Sequence, residues 1–345
     1  MIRLLSVDSR ALDEPSDEER RGDAHRRLAG EARRYCALRL LGPADAADLF
    51  ERVKSADEDV REIWGHLLKD LGTSRIFMVK DNPIPASLRA LLEAGGVPDG
   101  LEHLVDILLG SSTVSKTWAG DPELTSVEQF DLSRTITIAR RLHDEPTYPQ
   151  GTLREKIWDD QWRRPAQLSN EAWICSPYLF GKDRFNPSDE RRLDHVVWLL
   201  DRLHAAMPAK GAMVHLYAAK WAYALEDVAA VLRRSSFCEE RPGSLSIHIA
   251  PWRPEVPSGG GEDFHGPHDR HIRFSCNVAF DVPSDFDRLR HDAIREAQGY
   301  KCHYLGPGPS LRILQDVELG VLDHAESYTV EGAELVPSPP LSQSG

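Results

Sequence analysis

Residues His268–Phe280 read "HDRHIRFSCNVAF". The even positions Ile272, Phe274, Cys276, Val278 and Phe280 are apolar, and Asp269, His271, Arg273, Ser275 and Asn277 between them are polar. That period of two predicts a strand with one buried face. On this strand His268 and Arg270 lie on the apolar side at the N-terminal end, while His271 and Arg273 point the other way. The preceding "PWRPEVPSGGGEDFHGP" (Pro251–Pro267) is too rich in Pro and Gly for regular structure, so His265 belongs to a loop.

Upstream of this strand, strands and helices alternate. A helix around Leu153–Trp162 is followed by a strand, "EAWICSPYLF" (Glu171–Phe180). "PSDERRLDHVVWLLDRLHAAM" (Pro187–Met207) is a helix: Ser188 caps it, Asp189 and Glu190 suit its positive end, and apolar residues recur from Leu193 to Met207. "AMVHLYAA" (Ala212–Ala219) is a second strand, "LEDVAAVLRR" (Leu225–Arg234) a helix and "SLSIHIA" (Ser244–Ala250) a third strand. Such alternation implies parallel crossovers. Downstream, "LRILQDVELGVL" (Leu311–Leu322) reads as one or two further strands, and residues 335–345, "LVPSPPLSQSG", as a disordered tail.

The N-terminal half opens on a buried strand, "RLLSVD" (Arg3–Asp8). Charged helical sequence follows from about Ser16 to Leu41, then a helix from about Pro43 to Leu71, stopped by Gly72. "RIFMVK" (Arg75–Lys80) is a short strand. "IPASLRALLEAGG" and "VPDGLEHLVDILLG" (Ile84–Gly110) are two short helices, and more helix runs from about Thr125 to Leu142. "HDEPTYPQG" (His143–Gly151) is a turn-rich boundary. At 345 residues the chain is too long for one small core. The expected fold class is α/β in two domains: residues 1–145, α/β or mostly helical, and residues 151–331, α/β.

A formal net charge of -13 excludes broad, sequence-blind binding to nucleic acid or anionic membrane, and leaves nucleic acid only a focal patch. The five scattered cysteines form no CxxC pair, which suits reduced thiols and a cytoplasmic location. The first residues carry too short an apolar run for a signal peptide, and no run is long enough to span a bilayer. GxSxG, GxGxxG and GxxxxGK[ST] are all missing, so acyl-transfer elbows and phosphate loops have no support.

A His and an Arg at i and i+2 beside a Gly-rich loop can converge on one anion, the imidazole as donor, acid or nucleophile and the guanidinium as a fork. His268 and Arg270 are therefore the first candidates, with Asp269 and His265 at the same edge. The competing reading has His268 on a backbone carbonyl and Arg270 paired with a carboxylate such as Asp263 or Asp269. A metal is not expected on His265, His268 and His271, because a spacing of three on a strand sends neighbours to opposite faces. No cofactor is implied.

The order strand, helix, strand, helix, strand, loop, then "HDRHIRF" resembles a phospholipase-D-like half-domain, whose signature is HxKxxxxD. It looks closest to the degenerate version that follows MIT domains, and the likeness covers about residues 151–286. By position, His268 takes the place of the nucleophilic histidine and Arg270 that of the lysine. The acidic position is Ser275 here, and no downstream GSxN is present. Active members of that family also need two motif copies, from one chain or a homodimer. The resemblance thus implies a recognition or scaffold protein with a non-hydrolytic domain that binds a phosphate or acidic group, on a phosphate-bearing ligand or a protein partner, in a setting such as bacterial anti-phage or conflict systems.

The alternative is a nuclease effector, of phospholipase-D type or metal-dependent. "LLSVDSRAL" resembles the start of PIN-type nucleases, which implies Mg²⁺ or Mn²⁺ on Asp8 with partners drawn from Asp81, Glu93, Asp99, Asp106 and Asp131. Against it stands the ordinary use of a strand-end Asp as a helix cap.

Overall fold

Five apolar segments of the N-terminal half are hydrogen-bonded into one parallel sheet. The computed structural model describes residues 1–79, 88–94, 100–111, 121–181, 193–220, 224–251, 270–331 and 334–338. The chain divides into two compact units, Met1–Glu145 and Pro146–Gly345. The fold is mixed α/β, with one parallel and one mixed sheet as its main layers.

The first unit runs β1 (Arg3–Val7), α1 (Glu18–Tyr35), β2 (Cys36–Leu40), α2 (Pro43–Ser55), α3 (Glu58–Arg75) and β3 (Ile76–Met78). It continues with α4 (Leu88–Ala94), α5 (Leu101–Leu104), β4 (Ile107–Leu109), β5 (Glu123–Thr125) and α6 (Arg134–Asp144). The strand order β3-β2-β1-β4-β5 reverses direction between β1 and β4. Leu4, Leu5, Leu38 and Ile107–Leu109 are all buried, as expected of parallel strands covered on both faces.

Three helical expectations fail here. Helix α1 ends at Tyr35, and "CALRL" is the strand β2 beside β1; "ILL", assigned to a helix, is the strand β4. The expected helix over Pro43–Leu71 is two helices, broken after Ser55. A doubly buried strand carries apolar residues at successive positions, so its pattern matches a buried helix end as well as a strand. Pairing with β1 decides the matter.

The second unit begins with β6 (Thr147–Tyr148), α7 (Arg154–Ile157), α8 (Arg163–Gln167), β7 (Glu171–Cys175), α9 (Asp194–Ala206) and β8 (Met213–Lys220). Then come α10 (Leu225–Leu232), α11 (Ser236–Glu240), β9 (Leu245–Pro251), β10 (His271–Phe274), β11 (Val278–Asp281), β12 (Tyr300–Lys301) and β13 (His303–Leu305). It closes with α12 (Pro309–Leu322), β14 (Glu326–Glu331) and β15 (Glu334–Pro337). Eight strands form one sheet in the order β13-β11-β10-β7-β8-β9-β14-β15. β7, β8 and β9 are parallel, as the alternation of strands and helices predicts, and β10 and β14 flank them antiparallel.

"HDRHIRFSCNVAF" is not one strand. Residues His271–Phe274 and Val278–Asp281 are the two arms of a hairpin, joined by Ser275, Cys276 and Asn277. Asn277 holds φ +64°, and its N–H donates to the Phe274 carbonyl at 3.1 Å. A three-residue loop conserves parity: Phe274 faces Val278 and Ile272 faces Phe280, so the apolar alternation runs through the turn unbroken. Asn tolerates the left-handed region that most residues avoid at a cost of about 1–2 kcal/mol. Replacing Asn277 by Val should therefore cost about 1–2 kcal/mol in urea unfolding, and Asn277→Gly should stay within about 0.5 kcal/mol of the parent.

Two further expectations are corrected. "LRILQDVELGVL" is the helix α12: Gly308 and Pro309 start it, and Leu311, Leu314, Glu318 and Val321 form its buried stripe. The charge at Glu318 interrupts the apolar helical pattern and hides it. Leu335–Pro337, read as the start of a disordered tail, lies in β15, paired with β14. Pro337 is tolerated because β15 is the edge of the sheet. Among the described residues, no helix is long and apolar enough to cross a membrane.

Candidate anion-binding site at Arg270

Because β10 runs antiparallel to β7, with His271 opposite Cys175, Arg270 stands at the C-terminal end of β7. Its Nε donates to Asp285 Oδ2 at 3.0 Å. The other oxygen of Asp285 accepts from Ser176 Oγ at 2.8 Å and from the Phe286 N–H at 2.7 Å. Ser176 Oγ in turn accepts from the Tyr178 N–H at 3.1 Å, and the Arg270 guanidinium lies 5.3 Å from the Tyr178 ring centre. The carboxylate is 11 % exposed and the Arg270 side chain 29 %. Asp285 thus accepts from three donors, and one of them is Arg270 Nε.

Of the residues the sequence points to, Arg270 takes the ion-paired arrangement, with Asp285 as its carboxylate. His265, His268 and Asp269 lie outside the described residues, as does Asp263. Ser275, at the position where the resemblance puts an acidic residue, is at the far end of β10, about 17 Å along a strand from Arg270. There its hydroxyl accepts from the Asn170 and Glu171 N–H groups and donates to Asn170 Oδ1. Its role is to anchor the turn.

His271 and Arg273 do point opposite to Ile272 and Phe274, but that face is buried too. Helix α12 covers it, and Glu318 accepts from His271 Nε2 at 2.9 Å and from Arg273 Nε at 2.9 Å, with a second, close contact from Arg273 Nη2. Burial pushes the Glu318 carboxyl up, yet hydrogen bonds from His271 and Arg273 and the Arg273 charge outweigh it and hold the carboxyl below its usual value. The polar layer continues across the sheet. Arg273 stacks on Trp173 at 3.6 Å, Trp173 on His215 at 5.7 Å and His215 on His248 at 5.8 Å. His248 Nδ1 meets Ser327 Oγ at 2.9 Å. Burial depresses both imidazoles, His215 to about 4 and His248 to about 4.

The strand register explains this layer: Arg273, Trp173 and His215 are cross-strand partners, as are His271, Cys175, Tyr217 and His248. Sequence reasoning missed Asp285 and Glu318. Each is one acidic residue among 55 and is joined to the motif only through tertiary contact.

In the first unit, Asp8 caps the 3-10 helix Ser9–Asp13 by accepting from the Arg10 N–H at 3.1 Å. Arg10 also bridges Asp8 and Glu93, at 2.8 Å and 2.9 Å. Asp106 accepts from the Leu4 N–H at 2.7 Å, at the opposite end of the strands, and Asp131 lies 3.8 Å from Arg27. Asp81 and Asp99 are outside the described residues. Among the described residues, no three His, Cys, Asp or Glu side chains come together as a metal site.

No protein-family model matches this chain. No curated protein is significantly similar to it in sequence.

Proposed function

We propose that the second unit is a phospholipase-D-like recognition module in a two-domain scaffold protein, and that Arg270 grips a phosphate or other acidic group without hydrolysing it. One observation carries this reading: Asp285 takes only Nε of Arg270, and Nη1 and Nη2 have no partner among the described residues. A guanidinium fixed from behind presents its fork ready-oriented, which suits bidentate binding of phosphate or carboxylate. The position supports it as well, since ligands of open α/β sheets bind outside the carboxyl ends of the strands. The acidic partner that a hydrolytic motif would need is replaced by Ser275, turned to structural use.

The test is fluorescence anisotropy of a labelled 5′-phosphorylated oligonucleotide, competed with inorganic phosphate. Arg270→Ala should weaken binding about tenfold or more, the loss of one charge-assisted contact. The oligonucleotide should remain intact with Mg²⁺ or Mn²⁺. Cleavage abolished by His268→Ala or Asp8→Ala would replace this reading with a nuclease.

A further inference from the structure

A cavity of about 650 Å³ lies within the second unit between α10 and the hairpin of β14 and β15. Its size is that of a small-molecule site. Leu225, Ala229, Ile249 and Leu335 supply apolar walls. One ion pair is complete within it: Lys220 Nζ lies 3.4 Å from Glu326, which also accepts from the Tyr328 hydroxyl at 3.0 Å. Three charged groups in the same cavity, Glu226, Arg233 and Glu334, have no oppositely charged partner among the described residues.

The geometry of α10 sets the distance between two of them. Arg233 follows Glu226 by seven residues, two turns of helix, so the two side chains share a face about 10 Å apart along the axis. Ala229 lies between them and lines the same cavity. Arg233 Nε donates to the Ala229 carbonyl at 3.1 Å, and the rest of the guanidinium has no partner among the described residues. At the other end Glu226 lines the cavity, as does Tyr328, whose hydroxyl is raised by partial burial, by its hydrogen bond to Glu326 and by the charges of Glu326 and Glu226. Glu226 and Arg233 therefore stand two helical turns apart on the face of α10 that lines the cavity, with Ala229 between them.

A complementary ligand carries a carboxylate and an ammonium about 10 Å apart on a partly apolar body. An extended peptide rises about 3.3 Å per residue, so three residues span the distance. We propose that this cavity binds an extended tripeptide-length zwitterion, its carboxylate on Arg233 and its ammonium group at Glu226. The apolar side chains lie against Leu225 and Ile249. This site is separate from the one at Arg270.

The experiment is isothermal titration calorimetry of the full chain with Ala-Leu-Ala, using free, C-amidated and N-acetylated forms. Free peptide should bind saturably. Amidation and Arg233→Ala should each weaken binding about tenfold, and amidation should cost nothing further in Arg233→Ala, because both remove the same contact. N-acetylation and Glu226→Gln should show the same coupling. Equal binding of capped and free forms, or no binding of the free form up to about 10 mM, would overturn the assignment.

Discussion

Replacing Glu318 by Leu is expected to destabilise the second unit by about 3–5 kcal/mol, the usual cost of breaking a buried ion pair by removing one partner. Glu318 is the carboxylate between His271 and Arg273, and all three side chains are almost wholly enclosed under α12. Without it, Arg273 keeps its charge in a space that water does not reach. His271 loses the acceptor that fixes its Nε2 proton. At the size of this unit, the loss corresponds to a fall in Tm of about 10 °C.

The triple variant His271→Leu, Arg273→Met and Glu318→Leu should recover most of that loss, because an apolar layer of similar volume avoids the desolvation cost altogether. Urea unfolding of parent, single and triple variants decides it. A single variant within about 1 kcal/mol of the parent would show that water screens the layer after all.

Acidification should unfold the same unit. Burial holds His195 at about 3, and His215 and His248 each at about 4, against about 6.5 in an unfolded chain. Below pH 6.5 the unfolded chain binds protons that the folded one refuses. Stability is therefore complete above about 6.5 and drains away as pH falls toward 4. Glu318 acts in the same direction: its folded carboxyl is depressed, so its contribution is present above the usual carboxylate range and lost below it. A tenfold difference in proton affinity between the folded and unfolded chain corresponds to about 1.4 kcal/mol, and part of that is screened at the half-buried His215. A loss of several kcal/mol between pH 7 and pH 4 is expected. Urea unfolding free energies at pH 7, 6, 5 and 4 measure it, and His215→Gln with His248→Gln should flatten the slope. A level profile in the parent would mean that these imidazoles are already charged or solvated.

The sequence was most informative where side-chain period and local chemistry coincide. The run of strands β7, β8 and β9 with α9 and α10 between them was legible, because each amphipathic helix separates two apolar runs. β2 and β4 were not, since a strand buried on both faces lacks the alternation that identifies one. The hairpin at Asn277 escaped for the opposite reason: its odd loop preserves the alternation across a reversal of the chain.

For the site, the sequence by itself determined that His271 and Arg273 share one side of β10 and that Ile272 and Phe274 share the other. Parity is a property of the backbone and needs no partner. What those sides face was decided only by the tertiary structure. Arg270 is bound by Asp285, 15 residues further on, and His271 and Arg273 by Glu318 on a helix more than 40 residues away. Electrostatic pairing depends on distance in space, and sequence separation carries no trace of it.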